Sequence, residues 1–140
     1  MNLGMKLFVK AHVFLYRSSG GRVATSMGGR RLILLTTTGR KSGQPRTVPV
    51  VPLIDGDDLY VMASMAGAPE NPAWFGNLQA NPSVEVQLGP ERYPARASVV
   101  EGEAREALWK RITAEMPDFA RYQQKTSRVI PIVRLERTRN

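Results

Sequence analysis

The stretch from Leu32 to Val51, LILLTTTGRKSGQPRTVPVV, constrains the fold more than any other part of the chain. β-Branched and aliphatic residues flank a segment that Gly39, Gly43 and Pro45 keep from being helical, so it reads as strand, tight basic loop, strand. The loop holds Arg40, Lys41 and Arg46 with no acid beside them. Fixed cations and free backbone N–H groups on a turn make a concave site for a phosphate or a run of carboxylates. The alternative is a solvated β-turn whose basic residues only aid solubility.

A chain of 140 residues is most simply one domain, large enough for a core without staples. It has no cysteine and one histidine, His12. Disulfides, thiolate metal sites and cysteine nucleophiles are therefore excluded, no metal site is expected, and a Ser-His-Asp triad is disfavoured. His12 reads as a face residue of the first helix. An enzyme so poor in reactive side chains would draw its chemistry from a bound organic cofactor. The net charge of +8 is unevenly placed: residues 1–54 carry nine Lys or Arg and no acid, against eleven bases and twelve acids in the rest. Such a field attracts phosphorylated ligands or an anionic membrane. Nucleic acid is not expected as a partner, because zinc spacing, RNP-like aromatics and a basic helix-turn-helix are all missing.

In order, residues 3–16 fit an amphipathic helix with Leu3, Leu7, Ala11, Phe14 and Leu15 on one side and Lys6, Lys10 and Arg17 along another row. At about 20 Å it is too short to span a bilayer of roughly 30 Å. It would lie across the open end of a barrel, on a membrane surface, or both. Residues 18–29 form a glycine-rich connector that lacks the strand and helix of a dinucleotide fingerprint. Residues 1–30 thus precede a barrel unit at 31–140, the whole being a single domain. Residues 47–54 read as one strand that Pro49 and Pro52 push to an edge or a bulge, and Asp55 to Asp58 as a hairpin turn into a strand over 59–65, giving a meander. Asn71 caps, and Pro72 opens, a short helix that Asn81-Pro82 ends. A hairpin around Gly89-Pro90, a helix over 101–116 broken by Pro117, a short helical piece bearing Phe119 and Tyr122, a strand over 129–135 and a polar tail complete the chain. The expected class is α+β: an antiparallel sheet closed into a small barrel, with an N-terminal amphipathic helix and short covering helices.

TTTGRKSGQPRTVPV, ASMAGAPENPAWFGNLQANPSVEV and TSRVIPIV, in this order, resemble the deazaflavin-dependent nitroreductase family, the split-barrel quinone and nitro reductases of actinobacteria that use coenzyme F420. The resemblance runs from about Leu7 to Val133. It implies that Arg40, Lys41, Ser42 and Arg46 hold the cofactor's phosphate and polyglutamate tail. Thr47, Val48, Pro49, Val50 and Val51, with Met62, Ala63, Ser64 and Met65, would line the ring system, and Ala73, Trp74, Phe75, Gly76 and Asn77 the opposite wall. Met116, Phe119 and Tyr122 would meet substrate, and Tyr122 or Ser64 would hydrogen-bond the developing oxyanion. Family members that reduce bulky nitro drugs carry lysine in place of Met65 and tyrosine in place of Met116 and Phe119. Those departures favour an apolar acceptor such as a quinone over a nitroimidazole.

The implied reaction is hydride transfer from the reduced deazaflavin to a quinone-like acceptor by a cytoplasmic protein, peripheral on the inner face of the membrane if the first helix meets lipid. Two alternatives stand beside it: an FMN-binding split-barrel oxidoreductase, and a non-catalytic carrier of a cofactor or lipid. Oligomeric state is not legible.

Overall fold

In the computed structural model, residues 3–22, 26–27 and 30–139 are described. A seven-stranded antiparallel sheet carries the fold, and its strand order explains its shape. The strands are β3 (Ile33–Thr38), β4 (Pro45–Val50), β5 (Pro52–Asp55), β6 (Asp58–Met62), β7 (Ser83–Leu88), β8 (Glu91–Val99) and β9 (Ile132–Arg137), arranged β4-β3-β7-β8-β9-β6-β5. The two edge strands, β4 and β5, are consecutive in sequence and joined through Val51 alone. In a flat sheet they would lie about 29 Å apart, at roughly 4.8 Å per strand spacing. The two residues from Val50 to Pro52 reach no more than about 7 Å. The sheet must therefore roll until its edges meet at Val51 and splay from there, which is a split barrel.

This corrects two expectations. Residues 47–54 are not one strand but two, at opposite ends of the sheet, and the expected meander is absent: β3–β4 and β5–β6 are hairpins, but β3 continues onto β7 and β6 onto β9. Pro49 does sit on an edge strand, where its missing N–H costs nothing. The turn at Gly56, with φ of 61°, joins β5 to β6 as read. The following strand stops at Met62, and residues 65–67 form a 3-10 turn instead. The last strand is shifted from the expected 129–135, beginning at Ile132 and ending at Arg137, which pairs with Ala95.

Alternation along the strands divides the core. Ile33 and Leu35, Leu59 and Val61, Val84 and Val86, and Val133 and Leu135 point into the barrel, which α2 (Ala73–Ala80) plugs with Trp74, Phe75 and Leu78. Leu53, Met62 and Ile132 face outward under α3 (Gly102–Glu115) and α4 (Asp118–Gln124), against Ile112, Met116 and Phe119. Leu32 and Leu34 pack against Tyr16 of the first helix, α1 (Leu3–Ser18).

The C-terminal end of α1 is pinned to the barrel. The Tyr16 hydroxyl, fully buried, accepts from the Gly89 N–H at 2.9 Å and lies 3.0 Å from the Leu32 carbonyl oxygen, to which it donates. The helix ends at Gly20 and Gly21, both in the left-handed region. Any Cβ on Gly21 would fall 2.1 Å from the Gly89 carbonyl carbon, so only glycine allows this approach. A two-residue-strand ribbon, β1 (Ser26–Met27) with β2 (Arg30–Arg31), leads to the sheet. Residues 23–25 and 28–29 of the connector, and so the expectation for its last glycines, lie outside the described residues.

Candidate functional site

The β3–β4 loop is built by its own backbone. The Gly39 N–H donates to Gln44 O and the Gly43 N–H to Gly39 O, both at 2.8 Å, with Gly43 at φ of 70°. Ser42 Oγ accepts from the Gln44 N–H at 3.1 Å and from Arg46 Nη2 at 3.3 Å, which leaves its hydroxyl hydrogen to donate elsewhere. Arg40 is held from the other side. Asn77 Oδ1 accepts from both the Arg40 backbone N–H and its Nη1, each at 3.1 Å, while Nη1 also donates to Ala73 O at 3.2 Å. Asn77, itself buried, donates through Nδ2 to Thr37 Oγ1 at 3.1 Å. The guanidinium lies over Gly76, where a Cβ would come within 2.8 Å of Nη1. Its remaining N–H groups are available to a ligand.

The loop, the start of β4, one face of α2 and the N-terminal half of α1 enclose a cleft of about 650 Å³. Among the residues assigned to a cofactor from sequence, Arg40, Lys41, Ser42, Arg46, Thr47, Val48, Ala73, Trp74 and Asn77 line it. Lys6, Val9 and Lys10 of α1 join them. Five cations and no acid therefore face one cavity, and none of the five is in an ion pair among the described residues. Val9, Val48 and Trp74 supply apolar wall. A cleft of this size and lining fits an organic molecule with a polyanionic handle.

The other assigned residues lie elsewhere. Pro49, Val50 and Val51 continue β4 towards the seam, with Val50 packed on the barrel core. Ala63 is buried in that core and Met62 in the one beneath α3 and α4, while Phe75 lines a separate cavity of about 330 Å³. Met116 and Phe119 are buried under α3 and α4, and Tyr122, half-buried, packs edge-on to Phe119 at 5.5 Å. Ser64 is buried and Met65 is half exposed, at the end of β6. None of these lines the cationic cleft.

Two groups were not legible as site residues. Lys6 and Lys10 stood out as a basic row, but their spacing does not say which object they face. Arg128 gave no signal. Its Nε donates to Ala68 O, Nη1 to Ala63 O and to Asn71 Oδ1, and Nη2 to Ser64 O, at 3.0, 3.0, 2.7 and 2.8 Å. Burial lowers its pKa from the usual range, and it stays a cation at neutral pH. This fork fixes a turn in which Met65 and Ala66 sit at φ of 45° and 55°, strained for residues with a Cβ. It also corrects the expected cap: Asn71 serves Arg128, and the residue at the start of α2 is Pro72, with no side-chain cap.

Residues 8–137 match the family model described as F420H(2)-dependent quinone reductase. An F420H(2)-dependent quinone reductase of Mycobacterium tuberculosis is 36% identical over 140 aligned residues, covering 97% of this chain and 93% of that protein. A solved F420-H2 dependent reductase is 42% identical, with a TM-score of 0.69 over 75% of this chain and 93% of its own. A second solved structure, described as a domain-swapped dimer, is 35% identical with a TM-score of 0.73, covering 91% and 93%.

Proposed function

The chain belongs to the F420H(2)-dependent quinone reductase family, and from that membership we propose that it reduces an apolar, electron-poor acceptor of the quinone type, with the acid-free cleft as its cofactor anchor. It is an F420-dependent oxidoreductase with a split-barrel fold. When bound, the reduced cofactor supplies a hydride from the central ring of its deazaflavin. The observation that supports the assignment of the anchor is the convergence of Arg40, Lys41 and Arg46 with Lys6 and Lys10 on one cavity.

In this reading Arg40, Lys41, Arg46 and the Ser42 hydroxyl bind the phosphate and carboxylates, at about 1.5–3 kcal/mol per charge-assisted contact. Asn77 and Gly76 set the Arg40 guanidinium. Thr47 to Val51 and the segment that follows β6, at Ser64 and Met65, orient the ring, while Ala73 and Trp74 close the other side and exclude water. Tyr122 or Ser64 hydrogen-bonds the acceptor oxygen as negative charge builds there. A quinone that takes up the hydride and one solvent proton leaves as the quinol. Met65, Met116 and Phe119 add no hydroxyl or ammonium group, so nitro compounds are the poorer acceptors.

Membrane contact belongs to the same proposal. No described helix is long and apolar enough to cross a membrane. Leu3, Leu7, Phe14 and Leu15 of α1 are nevertheless 71, 57, 68 and 47% exposed, because the helix docks through His12 and Tyr16 instead. An outward apolar face beside Lys6 and Lys10 suits an anionic lipid surface, from which a lipophilic quinone could be drawn. Leu3→Ser/Leu7→Ser should then abolish co-sedimentation with anionic vesicles, and unchanged partitioning would count against lipid contact.

The deciding experiment titrates coenzyme F420 and FMN separately into the protein and follows oxidation of the reduced deazaflavin by menadione. Saturable F420 binding with turnover is expected. Binding without turnover would make the chain a carrier, and FMN binding alone would overturn the assignment of the cleft. A Tyr122→Phe enzyme with full turnover would remove Tyr122 from the oxyanion role.

A further inference from the structure

The cationic cleft does not end at Lys10. A second cavity of about 600 Å³ continues between α1 and β4, walled by Val13, Phe14, Arg17 and Ser18 on the helix and by Pro45 on the strand. Lys10, Arg46 and Thr47 line both cavities, so the two form one trough. Its lining carries Lys6, Lys10, Arg17, Arg40, Lys41 and Arg46 and no acidic side chain. Among the described residues, Arg17 approaches an acid only at its far end, 4.0 Å from Glu85 Oε1, an oxygen that Arg92 already holds at 2.6 Å. The Arg17 Nε is buried and has no hydrogen-bond partner among the described residues. Arg17 lines the second cavity with its side chain 35% exposed, which leaves its charge within reach of an anion there.

From Lys6 to Arg17 the helix axis runs about 16 Å. A single phosphate, as on FMN, can engage the β3–β4 loop but cannot reach along that length. An oligoglutamate chain can, placing one carboxylate after another against the helix.

We infer that α1 is part of the cofactor site: Lys6, Lys10 and Arg17 read the length of the anionic tail, which lies between α1 and β4. The inference rests on the deazaflavin reading above and adds a determinant of cofactor selectivity to it. The helix is well placed for the task. Its C-terminal end is fixed by the Tyr16 hydroxyl and the Gly21–Gly89 contact, while its exposed lysines project from the row between the docked face and the outward apolar face.

The test is a fluorescence titration of the full chain with three probes: F420 bearing its oligoglutamate tail, F420 trimmed to the phosphate, and FMN. Wild type is compared with Lys6→Gln/Lys10→Gln, with Arg17→Gln, and with Lys110→Gln as a control on the exposed surface of α3. Wild type and the control should lose at least tenfold in affinity when the glutamates are removed. The double variant should lose most of that discrimination, with a shallower dependence on salt because fewer exposed charge pairs remain to be screened. Its affinity for the trimmed cofactor should fall by less than its affinity for the long tail, and an unchanged melting temperature reports an intact fold. Equal wild-type affinity for long and trimmed tails, or a double variant that binds the long tail as wild type does, overturns this inference and leaves the reductase reading standing. No saturation by any deazaflavin overturns both.

Discussion

Replacing Arg128 by alanine should be among the most costly single changes outside the barrel core. Its guanidinium makes four hydrogen bonds, three to backbone carbonyls of Ala63, Ser64 and Ala68 and one to Asn71. Counted singly, bonds from a charged donor are worth about 1.5–3 kcal/mol each. They share one donor group and are not additive, and Arg128 is only half-buried, so water can reach part of the vacated site. A net loss of about 3 kcal/mol follows. The turn it holds stores strain at Met65 and Ala66, which relaxes once the fork is gone, so part of the local structure should be lost as well. For a domain of this size each kcal/mol moves the melting temperature by about 3 °C, so thermal denaturation followed by circular dichroism should show a drop of about 9 °C. Arg128→Lys should recover less than half of that, since an ammonium cannot present the planar fork to acceptors on both sides. If Arg128→Ala melted within about 2 °C of wild type, the network would be contributing little and the reasoning would fail.

Gly76→Ala should leave the melting temperature unchanged or slightly raised, because alanine is the better helix former by about 1 kcal/mol. The new Cβ displaces the Arg40 guanidinium, only 2.8 Å away, so F420 affinity measured by fluorescence should fall about tenfold. Asn77→Asp keeps the acceptor for Arg40 but pairs its charge, and the Thr37 hydroxyl can turn to donate. The fold should survive while F420 binding weakens by about tenfold at low salt. Tyr16→Phe strands the buried Gly89 N–H and should cost about 1–3 kcal/mol in a denaturant titration, with faster amide exchange in α1.

What the sequence disclosed was set by how local the cause was. The β3–β4 loop was legible because Gly39, Gly43 and Pro45 each exclude helix within six residues, and α2 because an Asn-Pro step brackets it at both ends. Strand alternation was equally visible, but a period of two says which face a residue takes and not which strand lies beside it. The pairing of β3 with β7 and of β6 with β9 spans about fifty and seventy residues, and no turn residue encodes it. The break at Val51 was hidden for the same reason: valine continues a strand as readily as its neighbours do, and only closure of the sheet requires the chain to leave it there. Asn71 shows local chemistry losing to a distant partner, since a good N-cap residue was drawn to Arg128 instead.

The first helix shows how one period can serve three surroundings. Residues at 12 and 16 dock it, those at 6, 10 and 17 line the trough with Phe14 at its rim, and those at 3, 7 and 15 face outward. At 3.6 residues per turn these rows follow one another around the axis, so their order is fixed by spacing alone. Pinning Tyr16 to the barrel therefore aims the lysines at the anion site and the leucines away from it in a single step. The apolar row, which the sequence left to either the barrel or a membrane surface, is turned out because Tyr16 has buried polar partners at Gly89 and Leu32 that no leucine could satisfy. A buried hydroxyl thus decides which of two apolar rows the barrel covers, and with it the direction in which the cationic row points.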